Sequence, residues 1–318
     1  MKIKGFILIS FLLLLLGACT KSNRELNEMI TFDEGDYIDL ILYNSSQEIF
    51  DECKNKIEYY RRLLDREHSY EGIENVYTIN QKRSAIVSSE LAEAITYANE
   101  ILSNYDSASL VSGGLNDIWY SAYLDKSTPS YEIIERELNI IKETRIEVTD
   151  TLVSIIGQGS LDLDFMTRGF MLSKLLEYLK ENKVSEYIIN DSSRAIIYGH
   201  NPDAKYFKCS FFGIKNGYYK IDNIAMSCGG ADITKWYRED GYRYTTIPSC
   251  TTGVSYDGYE KLFVFGENPL LNDILFYVCF NLELEEVQKV EEKYKIYTMM
   301  YKDLNLVYRN EYLTNLML

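Results

Sequence analysis

Apolar residues recur at two different spacings along this sequence, and each spacing predicts a different element. In the first half of the chain an apolar residue returns every three or four positions after a serine, which is typical of a capped amphipathic helix. Three such helices are predicted: after Ser45 and Ser46 with Ile49, Cys53, Ile57, Tyr60 and Leu64; after Ser88, Ser89 and Glu90 with Leu91, Ile95, Ala98 and Leu102; and after Pro129 and Ser130 with Ile133, Ile134 and Leu138. Before them, the alternation over Tyr37–Tyr43 predicts a strand.

Strand patterns dominate from Arg145 onward. Short apolar or alternating runs predict strands over residues 146–156, 187–189, 195–198, 207–214, 218–225, 261–265, 295–300 and 304–308. Residues 215–217, Lys-Asn-Gly, predict a hairpin turn because Asn and Gly tolerate positive φ, and Pro269 begins a long apolar helix through Leu284. Helices inserted between mostly antiparallel strands predict an α+β fold, in which helices flank the sheets, and no internal repeat interrupts it.

Residues 161–169, L-D-L-D-F-M-T-R-G, are predicted to be an alternating strand that leads directly into a helix. The apolar face of that helix follows in Met171, Leu172, Leu175, Leu176 and Leu179. Backbone N–H groups and the positive end of the helix dipole converge at a helix start, and Arg168 adds a bidentate cation there. The junction is therefore a candidate phosphate site. The alternative is that Arg168 is an ordinary solvated residue at a helix start.

The same junction resembles the strand-to-helix motif of the FAD:protein FMN transferase (ApbE) family, Asp-x-Gly-Gly-x-Ala-Lys-Gly. Asp162 and Gly169 match this motif, and Arg168 stands at its lysine. Thr167 takes the place of the alanine, and residues 164–165, Asp-Phe, take the place of the two glycines. A carboxylate and a phenyl ring are expected to crowd and repel a phosphate that glycines would admit.

The resemblance extends from about Asp36 to the C-terminus, through the order and spacing of landmarks more than through identity. The family's Ile-Asn-Leu-Gly-Gly-Asn resembles residues 189–194, in which both glycines are replaced. Its Thr-Ser-Gly-Asp-Tyr resembles residues 226–230, which keep the serine as Ser227. Its Ser-His-Ile-Ile-Asp-Pro-Arg-Thr-Gly resembles residues 245–253, which lack the histidine, the aspartate and the arginine.

A helix that holds metal in this family reads Asp-Ala-x-x-Thr. Asp273 matches the aspartate, while the threonine position falls on Tyr277, whose phenol lies too far out to replace a short hydroxyl. The resemblance implies Asp273 as a Mg²⁺ ligand, with the backbone carbonyl of Thr167 as a further one. The alternative is that Asp273 only interacts with the dipole of its own helix.

The resemblance also implies a reaction and a T-fold-like core. Members of the family cleave FAD at its pyrophosphate and attach FMN to a threonine of a target protein with Mg²⁺, releasing AMP. By this resemblance Arg168, Thr167 and Ser227 bind the cofactor, and Asp162 positions the loop. The implied partners are FAD and an acceptor protein that carries the threonine.

Two other functions remain open at this point. The altered motifs favour an inactive ApbE-like surface lipoprotein that serves as a binding or interaction protein, because losing several groups that act together removes catalysis. An unrelated solute-binding or adhesion lipoprotein is the other alternative. It predicts that Asp162, Arg168 and Asp273 do not surround one cleft.

The first residues have the pattern of a bacterial lipoprotein signal. Two lysines precede an apolar run over residues 6–16, and small residues lead to Cys19. The run is too short for a comfortable membrane span, and it suits a peptidase that cuts before Cys19 and leaves the thiol carrying diacylglycerol. We expect a signal peptide over 1–18, a lipidated cysteine and tether over 19–35, and an ApbE-like domain over 36–318. A plain secretory signal or a short anchor helix would give a similar pattern.

The acidic charge of the chain limits its partners. Its net charge is −15, and it becomes −17 without residues 1–18, which contain two lysines and no acids. Such an excess of carboxylates repels nucleic acid and anionic lipid, so nucleic acid is not an expected partner. Membrane attachment would then come from the lipid at Cys19. The predicted location is the bacterial cell envelope, outside the cytoplasm.

Cysteine and histidine usage disfavours several kinds of site. Beyond Cys19 the chain has five cysteines, an odd number without a C-x-x-C spacing: Cys53, Cys209, Cys228, Cys250 and Cys279. Isolated buried thiols are therefore predicted, although the sequence leaves a pair such as Cys228 and Cys250 open. With only His68 and His200, a histidine-rich metal centre or a histidine-based triad has little support.

Overall fold

The structure is a computed structural model, which describes residues 24–32, 36–192, 194–211, 217–230, 236–237, 243–303 and 305–318. Its helices are α1 (Gln47–Leu64), α2 (Val76–Lys82), α3 (Ser89–Leu102), α4 (Gly113–Asp125), α5 (Tyr131–Glu143), α6 (Thr167–Glu181), α7 (Pro269–Cys279), α8 (Leu284–Tyr294) and α9 (Glu311–Asn315). Its strands are β1 (Glu25–Thr31), β2 (Tyr37–Tyr43), β3 (Ser84–Ile86), β4 (Arg145–Thr149), β5 (Leu152–Ile156), β6 (Tyr187–Asp191), β7 (Ala195–Tyr198), β8 (Phe207–Cys209), β9 (Tyr219–Ile221), β10 (Ile224–Gly230), β11 (Trp236–Tyr237), β12 (Arg243–Tyr244), β13 (Lys261–Gly266), β14 (Tyr297–Lys302) and β15 (Asn305–Arg309).

An eight-stranded sheet in the order β1-β2-β6-β7-β10-β13-β14-β15 forms the centre of the fold, and all its neighbouring strands are antiparallel. A smaller sheet, β3-β5-β4, and the pairs β8-β9 and β11-β12 accompany it. Helices and antiparallel sheets are combined throughout, so the predicted α+β class is confirmed. The edge strand β1 lies within residues 19–35, which were predicted to be a tether. This part of the chain is a strand because Leu26 and Ile30 lie on one face of it and pack against the core.

Strand β13 shows how both faces of the large sheet are buried. Leu262 and Val264 are fully buried in the cluster that contains the helices, while Phe263 and Phe265 are 1% exposed in a second cluster on the opposite face. A third cluster surrounds Trp119, whose indole N–H donates to the Gly253 carbonyl at 2.7 Å. Burial on both faces explains why β13 is a continuous apolar run in the sequence.

The predicted helix starts are confirmed. Ser46 accepts a hydrogen bond from the amide of Ile49, Ser88 accepts from that of Leu91, and Ser130 caps α5 in the same way. Each cap satisfies one of the amides that have no partner inside the helix. The serine caps therefore place these helices correctly from sequence alone.

Several element boundaries differ from the sequence predictions. Residues 146–156 form the hairpin β4–β5, which turns at Asp150 with a φ of 53°. The predicted long helix through Leu284 is two helices, because Asn281 leaves the helix to bind the Ile247 carbonyl and the Tyr256 amide. The apolar residues on both sides of Asn281 concealed this break.

Two further predictions concern segments at the limits of the described residues. Strands β8 and β9 pair antiparallel, but residues 215 and 216 of the predicted turn lie outside the described residues. The predicted signal peptide and Cys19 also lie outside them. Within the described part of the chain, no helix combines the length and apolar character that a membrane crossing needs. The five cysteines beyond Cys19 form no disulfide with one another, as predicted; Cys53 and Cys279 are buried, whereas Cys209, Cys228 and Cys250 are half-buried.

Candidate functional site

A cleft of about 1260 Å³ opens where α6 and α7 meet the ends of the central strands β7, β10 and β13. Four residues named from the sequence line it together: Asp162, Arg168, Ser227 and Asp273. Its other walls carry aromatic rings and further charged groups: Tyr120, Phe165, Tyr198, Phe211, Phe263, Phe276, Tyr277, Asp36, Arg66, Glu67, Asp117, Asp164, Arg194 and Lys261. This convergence contradicts the expectation of an unrelated lipoprotein, in which these residues would lie apart.

The segment before α6 is not the strand that its alternation predicts. The amide of Leu161 donates to the side chain of Asn80 at 2.7 Å, and its carbonyl accepts from the same side chain at 2.9 Å. The amide of Asp162 donates to the Leu110 carbonyl at 2.8 Å. These partners satisfy the backbone without a neighbouring strand, and a 3₁₀ turn, Asp164–Met166, then leads into α6. Leu161, Asp162 and Leu163 are all buried, so the alternation of apolar and acidic residues does not mark the two faces of a strand, although it imitates that pattern.

Asp162 holds this loop through a cluster of charged and amide groups. Its carboxylate is 2% exposed and accepts from the Asp164 amide at 3.0 Å and from Asn116 at 3.2 Å. Burial raises its pKa, and the Arg66 guanidinium opposes that rise. Arg66 in turn binds Asp164 at 2.8 Å and Asp117 at 2.6 Å. These contacts tie the loop to α4 and to the start of the 3₁₀ turn, and the loop-positioning role of Asp162 stays a prediction.

Arg168 lies at the start of α6 and is held by two carboxylates. Its Nε donates to Oδ1 of Asp191 at 3.2 Å, and its Nη2 donates to Oδ2 of Asp36 at 2.8 Å. Asp191 is fully buried, so the guanidinium compensates a charge that water does not reach. Burial raises the pKa of Asp191, while Arg168 lowers it. The Arg168 guanidinium, which we expected to face a phosphate, therefore already donates two of its N–H groups to carboxylates of the protein.

Asp273 connects α7 to the first turn of α6. Its Oδ2 accepts a hydrogen bond from the amide of Gly169 at 2.5 Å, so the carboxylate lies at the N-terminus of α6 instead of its own helix. It is 7% exposed, and burial raises its pKa to about 6, against the lowering effects of Ser227, the Gly169 amide and Arg168. The Ser227 hydroxyl is buried and has no hydrogen bond of normal geometry in the described structure. Burial thus outweighs the neighbouring groups that stabilise the ionised carboxylate of Asp273.

Phe165 and Tyr277 replace small residues of the family motifs and stack on each other. Their ring centroids are 4.7 Å apart with an interplanar angle of 19°. The phenyl ring that we expected to crowd a phosphate thus packs against α7. Tyr277 is 4% exposed, and its hydroxyl lies beside Ser112 and Asn116, at the Asp162 end of the cleft.

The residues present do not fit the magnesium site that the resemblance implies. Among the described residues, no three histidine, cysteine, aspartate or glutamate side chains come together as a metal site. Asp273 faces Gly169 and Ser227, whereas Tyr277 faces a different set of neighbours, so the two side chains do not chelate one ion. Thr167 does not line the cleft, and its hydroxyl donates to the Leu163 carbonyl at 3.0 Å. Its predicted role as a carbonyl ligand stays a prediction.

Several cleft residues were not identified as functional from the sequence. Arg66 follows α1 without any motif, and Asn116 lies on α4, a helix that begins with two glycines and was not predicted. Asp191 and Arg194 belong to the segment 189–194, which differs from the family motif that it resembles. That difference was the only sign in the sequence that these two residues could have a role in the cleft.

Comparisons with known proteins identify the family and the fold of this chain. A sequence model of the ApbE family matches residues 35–300. A crystal structure of the ApbE protein from Thermotoga maritima MSB8 has 17% identity and a TM-score of 0.76, covering 93% of this chain and 99% of that one. The apo flavinyl transferase ApbE of Pseudomonas stutzeri has 14% identity, a TM-score of 0.76, and coverage of 92% and 97%.

A third structure, the flavin transferase ApbE from Vibrio cholerae, has 16% identity and a TM-score of 0.72, and the alignment covers 92% of this chain and 99% of that one. At these identities the structural likeness establishes the fold, which is that of the ApbE proteins. No curated protein sequence matches the chain. The family match spans most of the sequence, and the chain therefore belongs to the ApbE family.

Proposed function

We propose that this protein binds FAD in the cleft at the start of α6, as a lipid-anchored member of the ApbE family in the bacterial envelope. The observation that carries the proposal is the cleft itself, which brings Asp162, Arg168, Ser227 and Asp273 together on an ApbE fold. Its volume of about 1260 Å³ exceeds the several hundred Å³ of a typical small-ligand pocket, so it has room for a dinucleotide.

The cleft offers aromatic surfaces that suit a flavin or adenine ring. Phe165 is half-buried and rests on Tyr277, so one of its faces is supported by protein. Further rings on the walls, such as Tyr120 and Phe276, add apolar area. A flat heteroaromatic ring gains stacking energy on such a supported surface, and the polar groups at the start of α6 orient it.

The geometry favours FAD binding without magnesium-dependent transfer of FMN. Phosphoryl transfer requires neutralised phosphate charge and an aligned hydroxyl nucleophile. Asp273 and Tyr277 do not form the ligand pair that would hold the ion. The two histidines do not replace this pair as metal ligands, because His68 pairs with Asp65 and His200 with Asp222, away from the cleft.

FMN transfer from FAD to a threonine of a target protein is the second candidate function. It is favoured by the family match over residues 35–300 and by Asp273, which lies in the cleft as an ionisable carboxylate. In this function the chain's own residues would bind and orient FAD, and Asp162 would keep the loop in place. The partner would be an envelope protein that presents the threonine.

One experiment separates the two candidates. The soluble chain that begins at Thr20 is incubated with FAD, Mg²⁺ and a threonine-containing acceptor, and AMP release and flavin fluorescence on the acceptor are measured. Binding of FAD without AMP release supports a binding protein. AMP release together with labelled acceptor supports the transferase, and absence of FAD binding contradicts both.

The lipid anchor is a separate part of the proposal, supported by the residues before Cys19. Incorporation of labelled palmitate into the full-length protein, compared with the Cys19→Ala variant, tests it. Label in the parent and none in the variant is expected. Equal labelling of both chains would contradict acylation at Cys19.

A further inference from the structure

The guanidinium groups of the cleft differ in how much of their donor capacity is already used. Arg66 binds Asp117 and Asp164, and Arg168 binds Asp36 and Asp191. Each of these two side chains is 22% exposed and serves two carboxylates. A phosphate would have to compete with these carboxylates for the same donors.

Arg194 lines the same cleft, but its guanidinium is not held by carboxylates of the described residues. It is exposed, and among the described residues its guanidinium has no ion-pair or hydrogen-bond partner. Its backbone is nevertheless well held, because its amide donates to the Asp191 carbonyl at 2.8 Å and its carbonyl accepts from the Cys228 amide at 2.6 Å. Arg194 therefore presents an open, bidentate cation from an anchored backbone.

Strand geometry places a second cation near Arg194. Strand β10 pairs with β7 on one side and β13 on the other, with Ser227 opposite Ala195 and Gly230 opposite Lys261. Arg194 directly precedes β7, and its carbonyl continues the pairing with β10 by accepting from the Cys228 amide. Residues two apart along such an extended segment share a face, so Arg194 lies on the face of Ile196, and Lys261 lies on that of Phe263. Ile196 and Phe263 belong to the same apolar cluster, so both cations lie on one face of the sheet.

Beyond Cys228, which lies beside Arg194, the last two residues of β10 carry no side chains. Gly229 and Gly230 line the cleft here. A Cβ on Gly229 would lie 2.8 Å from the Phe276 ring, and one on Gly230, which has a φ of +147°, would lie 2.0 Å from the Glu260 carbonyl oxygen. Glycine is thus required at Gly230, while a side chain at Gly229 would have to displace the half-buried Phe276 ring; without side chains, this end of β10 leaves half-buried backbone beside the two positive side chains.

We propose that Arg194 and Lys261, flanking Gly229 and Gly230, form the phosphate subsite of this cleft in place of Arg168. The subsite takes a phosphoryl group of a flavin nucleotide, and this inference rests on the proposed binding of FAD. Arg194 supplies bidentate hydrogen bonds, Lys261 supplies a point charge, and the glycines allow close approach. Arg168 instead neutralises Asp36 and Asp191.

The test compares flavins that differ only in phosphate. The affinities of FAD, FMN and riboflavin for the soluble chain are measured by flavin fluorescence for the parent, Arg194→Gln, Lys261→Gln and the double variant. Each single variant is expected to weaken FMN binding by about 10-fold, in keeping with one charge-assisted contact, and to leave riboflavin binding unchanged. In the double variant FMN and riboflavin are expected to bind alike.

Two controls make the result specific. Arg145→Gln removes the same charge from the exposed strand β4, outside the cleft, and it is expected to bind every flavin like the parent. Arg168→Gln tests the competing assignment, and thermal unfolding of each variant confirms that it is folded. Selective loss of FMN affinity in Arg168→Gln, with Arg194→Gln unaffected, would overturn the inference.

The remaining outcomes are also decisive. A parent chain that binds riboflavin and FMN equally well has no phosphate subsite, which would overturn this inference but leave flavin binding intact. A parent chain that binds no flavin at all would overturn the proposed function, and the subsite with it.

Discussion

The amide of Gly169 donates its hydrogen bond to the carboxylate of Asp273, at 2.5 Å and across 104 residues of sequence. This contact attaches the N-terminal turn of α6 to the middle of α7. A carboxylate at a helix N-terminus is favourable because it meets both free amides and the positive end of the dipole. The relationship explains why a glycine and an aspartate of two separate motifs persist here, even though the implied metal site is not formed.

Gly169→Ala is expected to destabilise the fold. The added Cβ would lie 2.4 Å from the Pro269 carbonyl oxygen and 2.8 Å from Cγ of Asp273, so α6 and α7 must separate. Overpacking of this kind costs about 1–3 kcal/mol in the free energy of unfolding, which urea denaturation measures. Gly114→Ala is the control, since its Cβ meets only the movable side chain of Glu137. Equal stability of both variants would contradict the close approach of the helices.

The stability of the protein should depend on the ionisation of Asp273. Folding raises its pKa from the ordinary 3.8 to about 6, so the folded state holds the proton more tightly than the unfolded state. Its contribution to stability is therefore greatest below about pH 4 and is lost as the pH rises through about 6, a change of roughly 3 kcal/mol.

Asp273→Asn isolates this effect. The amide oxygen still accepts from Gly169, but no charge is buried, so the variant is expected to be more stable than the parent at pH 7 and equal to it near pH 4. Urea unfolding at several pH values measures the difference, and the exposed Asp106→Asn is the matched control. A parent and an Asp273→Asn variant with parallel pH profiles would disprove the raised pKa.

Arg168 is expected to matter for stability. In Arg168→Gln the fully buried Asp191 loses its guanidinium partner, which costs about 3–5 kcal/mol in the free energy of unfolding at neutral pH. Because Asp191 can then take up a proton, the loss should shrink at acidic pH. The double variant Arg168→Gln, Asp191→Asn is expected to recover most of the stability. No recovery would mean that the ion pair is not the cause.

FAD binding is expected to be independent of magnesium, since Asp273 and Tyr277 do not form a chelating pair. Titration of FAD in excess EDTA and in millimolar Mg²⁺ should give affinities that agree within about twofold, as expected when no coupling links the two ligands. Tighter FAD binding with Mg²⁺, reversed by EDTA, would show that the cleft holds the ion with FAD.

The sequence predicted the parts of the fold that depend on local chemistry. Serine caps located the helices that begin after Ser46, Ser88 and Ser130, and the alternation of β2 gave its bounds without error. These features rely on contacts between residues a few positions apart, which a single sequence displays. Buried loops imitate the same patterns, as the segment before α6 did when its alternation resembled a strand.

The candidate site could be predicted only in part. The motifs brought Asp162, Arg168, Ser227 and Asp273 to one cleft, and the structure places them there. Their partners depend on contacts across the chain, such as Arg168 with Asp36 over 132 residues, and no local pattern reports these. The charge of Arg168 was therefore visible in the sequence, whereas its neutralisation by carboxylates was not.

Equilibrium binding of FAD to the soluble chain that begins at Thr20 shows whether the cleft holds a flavin nucleotide. We expect a saturable change in flavin fluorescence with one FAD bound per chain. We also expect weaker FAD binding in the variant Arg194→Gln, Lys261→Gln and parent-like binding in Arg145→Gln. Absence of saturable binding by a chain shown to be folded, or identical affinities in all three proteins, would contradict flavin binding through Arg194 and Lys261.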